Sequence, residues 1–381
     1  MKTKLQGARK TAILRACTTV ALLSILFFGL ICAPSAQRDT DLRPQSGGGL
    51  KLFSSVVSRL EAGTPYYIAM RSELLARGYP TASVMNWRTP LHLSIVAMLE
   101  IPMARAVMGI FALVVLVAGS WALAPRGSDA TAWGAFCLIG ATIPVVSADG
   151  AVLFSEAWCG LLIGLSLAFY TRQRWLVAAC CGVFALFMRE LAAPYVLVCG
   201  LLALVARRRN ESLVWLLGGF AYVIYYGIHA LSAHAAMQAG ALAHAHGWVR
   251  WLGLPFVFST AGWYAWTLLA PPILVPLVVT GGLAAIAAPT APVQLRLGIL
   301  AYVITFAIIG QPFNSYWGLV TAPLWAFGIA YSMDGVRWVV NMPRADCARP
   351  LARSTVVGRL RAIVGRLMSP AVVEPYTAEP S

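Results

Sequence analysis

Charged residues are scarce in this chain. Only 11% of its 381 residues are Asp, Glu, Lys or Arg, and 59% are apolar, whereas a water-soluble domain carries about 25% charged residues. The mean hydropathy is +0.74, and long apolar runs recur from one end of the chain to the other. The shortage of charge argues against a soluble globular domain. It predicts an all-α polytopic bundle, because a helix satisfies its own backbone hydrogen bonds in lipid.

Several catalytic and metal-binding motifs are also missing from the sequence. There is no Gly-rich phosphate loop ending in GK[ST], which argues against an ATP-driven pump, and no GxSxG supports a serine hydrolase. The eight cysteines form no CxxC and no Cys/His ligand spacing, so neither a disulfide framework nor a zinc site is expected.

Ten apolar runs predict about ten transmembrane helices. The first run, Thr11 to Ala33, follows a basic N-terminus. It is expected to be an uncleaved first span, although the "CAPSAQ" after it faintly resembles a signal-peptide cleavage site. The other nine runs cover residues 106–123, 131–148, 151–170, 175–187, 194–206, 213–231, 264–287, 297–309 and 316–333.

The distribution of basic residues orients this predicted bundle. Lys and Arg number 29 against 14 Asp and Glu, and they cluster in alternate loops, which is the positive-inside pattern. Both termini are therefore expected in the cytoplasm. The transmembrane domain covers residues 1–336, with a long first external loop at 34–90, and residues 337–381 form a basic, partly disordered tail. The positive charge is attributed to orientation and membrane lipids, with no nucleic-acid partner.

The external loop ends in a polar, aromatic stretch, "GTPYYIAMRSELLARGYPTASVMNWRTPLHL", at residues 63–93. Thr64 and Pro65 predict a helix start, by capping and by proline at the first helical position. The "GYP" that follows predicts its end, and Glu73 and Arg77 are spaced for an ion pair within the helix. Two interpretations stay open. The helix is either an amphipathic anchor in the membrane interface or one wall of an external site.

Four polar residues interrupt apolar sequence near the same predicted side. Glu156, Arg189 and Glu190 lie at the external ends of their runs, and Asn314 lies in the turn "QPFNSYW". A charged residue in a bilayer is costly and needs a partner or a function. Either a buried Glu156–Arg189 ion pair only holds the bundle together, or Arg189 clamps a phosphate while Glu156 or Glu190 acts as a positioning or acid/base group.

Metal ligation has little support in the sequence. His244 and His246 form an isolated HxH, which alone is weak as a metal motif. Asp39 and Asp41 form a DxD, the pattern of many metal-dependent sugar transferases. No metal-binding residues are predicted, and a divalent metal ion is the one cofactor left open.

The layout resembles the GT-C glycosyltransferases, through "EAGTPYYIAMRSELLARGYPTASVMNWRTP", "FMRELAAPYVLV" and "FNSYWGLVTAPLWAFGIAY". These polytopic enzymes have a large first external loop with an acidic catalytic residue and use a polyprenyl-phosphate-linked sugar. The resemblance implies a glycosyltransferase of the bacterial inner (plasma) membrane. It would move a sugar to a glycan, lipid or protein acceptor at the external face of this part of the cell envelope.

The same resemblance implies roles for individual residues. Members of the family commonly carry an isolated acidic residue in the segment that corresponds to "GGGLKLFSSVV", but this chain has none there. The catalytic carboxylate is therefore expected elsewhere on the loop or among the charged residues of the apolar runs. The catalytic candidates are Asp41, Glu73, Asp39 and Glu156, with Glu61 also open. The substrate-binding candidates are Arg88, Arg189, Glu190, Tyr66, Tyr67, Trp87, His92 and Asn314. Both arginines would hold the phosphate, and the aromatic rings would shape the sugar site.

Two other functions stay open. A transporter or flippase for lipid-linked glycans would carry paired broken helices in its two halves. Here Pro271, Pro272 and Pro276 share one late run without a counterpart in the first half. A non-catalytic membrane scaffold would lose abundance, but change no glycan, when its buried charges are replaced.

Overall fold

The structure is a computed structural model that describes residues 15–30, 48–147, 150–243, 247–265 and 274–340. Within these ranges the chain is all-helical, with thirteen α-helices and no β-strand. The single extended pairing there is an antiparallel bridge between Val249 and Ile309. The predicted all-α class is therefore confirmed for the described residues.

The helices follow one another through short connections. They are α1 Arg15–Leu30, α2 Gly48–Glu61, α3 Tyr66–Ala76, α4 Pro90–Leu123, α5 Ser128–Ser147, α6 Ser155–Thr171 and α7 Trp175–Met188. They continue as α8 Ala193–Val205, α9 Arg209–Ala236, α10 Gly253–Ala261, α11 Leu274–Ala287, α12 Val293–Ile308 and α13 Gly318–Val339.

Three helical stretches are long and apolar enough to cross a membrane. They are Val84–Arg126, which contains α4, together with α5 and α9. Helices α1, α7, α8, α11 and α12 are shorter and also apolar. Each of the ten predicted apolar runs falls on a helix in the part of the chain described, because an uninterrupted apolar run has few residues that favour a turn.

The structure corrects three details at the ends of helices. Helix α3 begins at Tyr66 with Pro65 as its N-cap, and no side chain caps it, so the prediction that Thr64 caps this helix is wrong. Helix α4 begins at Pro90 rather than near residue 106. The segment 232–263, which separates two of the predicted runs, contains the end of α9 and all of α10.

Helix α4 is interrupted near its middle. Glu100 leaves the helical conformation, with φ 61° and ψ 152°, two residues before Pro102. Proline has no N–H for the helical ladder, and its ring crowds the carbonyl of the preceding turn. Helix α4 packs against α2, and its helical structure begins earlier than hydropathy alone indicates.

Helices α2 and α3 form a hairpin that is fastened by one carboxylate. Glu73 of α3 receives Arg59 Nε of α2 at 2.5 Å and Arg77 Nη2 at 3.1 Å, which confirms the predicted pair between Glu73 and Arg77. Helix α2 packs on α4, and α3 packs on α9. The hairpin thus covers the end of the bundle where α4 begins.

Glycines allow three helices to approach backbone to backbone. A Cβ at Gly160 of α6 would lie 2.2 Å from the Leu319 carbonyl oxygen of α13, and one at Gly335 of α13 would lie 1.9 Å from the Ala284 carbonyl oxygen of α11. Small residues at crossings permit this close packing, which is a main source of helix association in membranes.

We expect Gly160→Ala to destabilise the protein, because the new methyl group must push α6 away from α13. Overpacking of this kind costs about 1–3 kcal/mol. Gly219→Ala in α9 is the matched control, since a Cβ there meets nothing within 4 Å. Thermal unfolding of the purified protein in detergent measures the difference. Equal midpoints for the two variants would contradict the close crossing.

Candidate functional site

Four charged side chains from three segments of the chain form one buried cluster. Arg88 Nη1 donates to Glu156 Oε1 at 2.6 Å, and Arg189 Nε donates to the same oxygen at 2.9 Å. Arg189 Nη1 also pairs with Glu190 Oε1. The two arginines and two carboxylates are formally neutral together, which reduces the cost of holding them away from water. We call these four residues the ionic cluster.

Breaks between helices bring these side chains to the same place. Glu156 lies in the first turn of α6, directly after the short turn Ala151–Leu153. Arg189 follows the last residue of α7 in an extended conformation, with φ −157° and ψ 127°, and Glu190 begins the next turn. The polar residues thus sit at helix ends, where the backbone can turn their side chains toward one another.

Arg88 reaches the cluster from the polar, aromatic stretch. Its φ of 55° is left-handed, a conformation that is uncommon for a residue other than glycine. The Tyr66 hydroxyl donates to the carbonyl oxygens of Trp87 and Arg88, at 2.9 and 3.2 Å. The buried Trp87 indole in turn donates to the Thr81 carbonyl at 2.9 Å. Burial raises the pKa of Tyr66 well above its usual value, so the hydroxyl keeps the proton that it donates.

A turn from the far end of the sequence holds the other side of Arg88. Arg88 Nη2 donates to the Tyr316 hydroxyl at 2.8 Å, and Asn314 Nδ2 donates to the same hydroxyl at 3.1 Å. The Asn314 side chain also accepts the Gln311 backbone N–H at 3.1 Å, within a capping box. This chain of contacts fixes the Arg88 guanidinium in one orientation.

A small cleft opens beside the two guanidinium groups. Its lining includes Phe53, Arg88, Thr89, His92, Ser155 and Arg189. The Arg88 guanidinium lies 5.4 Å from the centre of the Phe53 ring, which belongs to α2. His92 Nε2 lies 3.0 Å from the Val152 carbonyl oxygen. Since a carbonyl only accepts, Nε2 carries the proton and the neutral ring has Nδ1 as its acceptor.

The contacts within the cluster leave hydrogen-bonding capacity on both arginines. They use Nη1 and Nη2 of Arg88, and Nε and Nη1 of Arg189. Arg88 Nε and Arg189 Nη2 are therefore not engaged by these contacts. Guanidinium groups bind carboxylate and phosphate oxygens through paired N–H donors, so the cleft has the chemistry of a site for an oxyanion.

The structure brings most of the predicted site residues together. Those in or against the cluster and its cleft are Arg88, Glu156, Arg189, Glu190, His92 and Asn314. Tyr66 and Trp87 lie under Arg88 and hold its backbone. Tyr67 points elsewhere, with its hydroxyl 3.0 Å from His229 Nδ1 on α9.

The other predicted residues lie away from the cluster or outside the described ranges. The Glu73 carboxylate is occupied by Arg59 and Arg77 in the α2–α3 hairpin. The predicted candidates Asp39 and Asp41 fall outside the residues that the structure describes, as do His244 and His246 of the isolated HxH. Among the residues described, no group of three or more His, Cys, Asp or Glu side chains could hold a metal ion.

Sequence reasoning missed the aromatic surroundings of the cluster. Phe53 was not expected to contact Arg88, because nothing in the local sequence of α2 distinguishes it from a core residue. Tyr222, Tyr225 and Tyr226 lie together on α9, with ring centres 5.9–6.2 Å apart for two of the pairs. Three tyrosines at helical spacing within an apolar run are a signal that could have been recognised.

Comparisons with known proteins give no relative from which a function could be transferred. The sequence matches no protein-family model, no curated protein and no solved structure at a significant level. Functional inference for this chain therefore depends on its own residues.

We expect Glu156→Gln to destabilise the protein strongly, because it leaves two buried guanidinium groups facing each other without the shared negative charge. Breaking a buried ion pair costs about 3–5 kcal/mol. Adding Arg88→Gln to Glu156→Gln should recover part of the loss, since one of the two positive charges is then removed. Thermal unfolding of the single and double variants measures the coupling.

The exposed Glu61 provides the control for this experiment. Glu61→Gln should change the unfolding midpoint little, because replacing an exposed charge usually alters stability by at most about 0.5 kcal/mol. If the double variant loses as much stability as the Arg88→Gln and Glu156→Gln variants lose together, the two side chains do not interact.

Proposed function

We propose that the protein is a membrane glycosyltransferase of the GT-C type. It would move a sugar from a polyprenyl-phosphate donor to a glycan, lipid or protein acceptor at the external face of the bacterial inner membrane. The observation that carries this proposal is the pair of guanidinium groups, Arg88 and Arg189, beside one cleft and held by a common carboxylate oxygen. Two fixed cations suit a phosphate whose charge grows as the glycosidic bond breaks.

The proposal includes about ten membrane spans with both termini in the cytoplasm. Its support is the position of the charges along the helices. The four residues of the ionic cluster lie just before α4, at the start of α6 and at the end of α7, and Tyr316, which contacts Arg88, lies just before α13. These helix ends share one side if successive spans alternate. Arg126, Arg172 and Arg208 lie at the opposite helix ends. An excess of arginine on one side is the expected cytoplasmic signature.

The proposed transfer exchanges one bond at the anomeric carbon for another. The acceptor hydroxyl oxygen forms a bond to the sugar C1 while the bond from C1 to the phosphate oxygen breaks. The polyprenyl phosphate leaves with the electron pair of that bond, stabilised by Arg88 and Arg189. The acceptor's proton passes to a carboxylate acting as general base.

The ion pairs restrict which carboxylate can take this proton. Glu73 and Glu156 each already accept from two arginines, so their oxygens are engaged in ion pairs rather than open to an acceptor hydroxyl. We therefore assign Glu156 to positioning the guanidinium groups. Of the predicted candidates for the base, this leaves Asp41 and Asp39, which lie outside the described residues, and the exposed Glu61.

Removal of the gene followed by glycan profiling tests the proposed function. The deletion should remove or shorten a surface or lipid-linked glycan, and wild-type protein should restore it. Arg189→Lys should be present at normal abundance and restore little of the glycan, because lysine keeps the charge but loses the paired N–H geometry. We expect the rate of sugar transfer to fall about tenfold or more, as it does when other hydrogen-bond donors to a transition-state charge are removed.

Arg126→Lys is the matched control. Arg126 is also partly buried and forms an ion pair with Asp334 of α13, but it lies away from the cluster. It should restore the glycan fully. A deletion strain with unchanged glycans would contradict the proposal. Accumulation of a complete lipid-linked glycan inside the cell would identify the protein as a flippase instead.

A further inference from the structure

His92 is held in one orientation at the cleft beside Arg88 and Arg189, which we call the guanidinium cleft. Its Nε2 lies 3.0 Å from the Val152 carbonyl oxygen, and the Trp158 indole nitrogen donates to the same oxygen at 3.0 Å. A carbonyl oxygen has two lone pairs and can accept both hydrogen bonds. The imidazole and the indole also pack edge to face, with their ring centres 6.4 Å apart. These contacts fix the plane of the imidazole and place its proton on Nε2.

The other ring nitrogen of His92, Nδ1, is open to the guanidinium cleft that the residue lines. It makes no hydrogen bond within the described part of the chain, and it is not one of the buried polar atoms there that lack a partner. The same holds for Arg88 Nε and Arg189 Nη2. All three nitrogen atoms therefore keep surface that a ligand can reach.

The three nitrogen atoms differ in what they bind. A guanidinium group only donates hydrogen bonds, whereas Nδ1 of a neutral imidazole only accepts them. A further positive charge beside two guanidinium groups is unfavourable, so the imidazole is neutral. No carboxylate is found among the described residues that line the cleft. The lining thus offers two cationic donors for an anion and, at His92, one acceptor that requires a hydrogen from the ligand.

We propose that the guanidinium cleft selects a phosphate group that brings its own O–H donor. Arg88 Nε and Arg189 Nη2 donate to the anionic oxygens, and His92 Nδ1 accepts the O–H of the ligand. An anion without this hydrogen would place a negatively charged oxygen against the lone pair of Nδ1. Sites that are built to hydrogen-bond a hydroxyl reject analogues that lack it, because the buried polar group of the protein is then left unpaired.

Two sources can supply the O–H. A phosphate monoester carries a proton on one of its own oxygens when it is singly charged, and a sugar phosphate carries a hydroxyl on the carbon next to the anomeric phosphate. The inference rests on the proposed function for the role of the two arginines in binding phosphate. In that setting the first source is the polyprenyl phosphate product, and the second is the sugar-linked donor. His92 is then a specificity-determining residue for either ligand.

Thermal unfolding of the purified full-length protein in detergent measures this selection. At neutral pH inorganic phosphate carries at least one O–H and sulfate carries none, while both ions strengthen apolar burial in general. Sulfate has the higher charge, so attraction to the guanidinium groups alone would favour sulfate. We expect the opposite order, with phosphate stabilising the protein at concentrations at least about tenfold below those of sulfate at equal ionic strength.

Glucose 1-phosphate and 2-deoxyglucose 1-phosphate identify the source of the O–H. They are compared at about pH 8, where a phosphate monoester has lost its second proton and only the sugar can donate. A preference for glucose 1-phosphate assigns the O–H to the sugar. Equal affinities for the two sugar phosphates, with phosphate still preferred over sulfate, assign it to the phosphate itself. Preferences in both pairs show that either source satisfies Nδ1.

Replacement of His92 tests whether its Nδ1 carries the selection. His92→Gln places an amide near the Nε2 position, where it can still donate to the Val152 carbonyl, but removes the acceptor at Nδ1. The advantage of phosphate over sulfate should disappear. His92→Asn places its amide near the Nδ1 position instead and should keep part of the advantage. Both ions are compared within one folded variant, so a lower stability of that variant does not change the comparison.

His229→Gln is the matched control. His229 is also a buried histidine, but it lies against Tyr67 and outside the lining of the cleft. This variant should keep the full advantage of phosphate over sulfate.

Equal stabilisation by phosphate and sulfate, together with equal affinities for the two sugar phosphates, would overturn the selection by His92 and leave the guanidinium pair as an anion site. A preference that survives His92→Gln undiminished would also overturn it. No stabilisation by any of the four anions would overturn the anion site and the selection with it. The glycan-rescue test is independent of these outcomes, because it measures sugar transfer rather than the preference between anions.

Discussion

One carboxylate oxygen organises the candidate site. Glu156 Oε1 accepts from the guanidinium groups of Arg88 and Arg189, at 2.6 and 2.9 Å. In a bundle with so little charge, these side chains have few alternatives, and exposure to lipid would be costly. The shared oxygen therefore ties the segment before α4 to the start of α6 and the end of α7. The cleft and the Tyr316 contact both lie around this point.

The arrangement combines stabilising and unfavourable features. Arg88 adopts a left-handed backbone conformation, and Glu190 keeps one buried oxygen without a partner in the described structure. Such features persist only when surrounding contacts outweigh them, and they occur preferentially at functional sites. Here the Tyr66 hydroxyl and the Tyr316 hydroxyl hold Arg88 from opposite directions. We interpret this preorganisation as the basis for binding an anion at the guanidinium pair.

Hydropathy predicted ten of the thirteen helices in the described ranges, and it missed α2 and α10. The apolar runs coincide with helices because each run is nearly uninterrupted, and the rare ionisable residues within them pointed correctly to Glu156 and Arg189 as neighbours. A lone charge in a long apolar helix has few possible partners, so the scarcity of charged residues alone made the pairing of Glu156 with Arg189 predictable. The i,i+4 pair of Glu73 and Arg77 was predictable for a similar reason, since helical spacing determines it.

The remaining features depend on tertiary contacts that local sequence does not determine. Thr64 has the residue type of a cap, but its side chain does not cap α3, and Pro65 occupies the N-cap position. Helix α4 packs on α2, and Phe53 of α2 lies against the Arg88 guanidinium, so both contacts depend on how the hairpin packs on the bundle.

The most direct test of the guanidinium pair is the affinity of the purified protein for polyprenyl phosphate compared with polyprenol, measured by native mass spectrometry. We predict that the phosphate binds about tenfold or more tightly than the alcohol, as charged hydrogen bonds to two arginines require. This preference should disappear when Arg88 and Arg189 are both replaced by glutamine in a folded variant. Equal affinity of the wild-type protein for the two lipids would contradict the central claim.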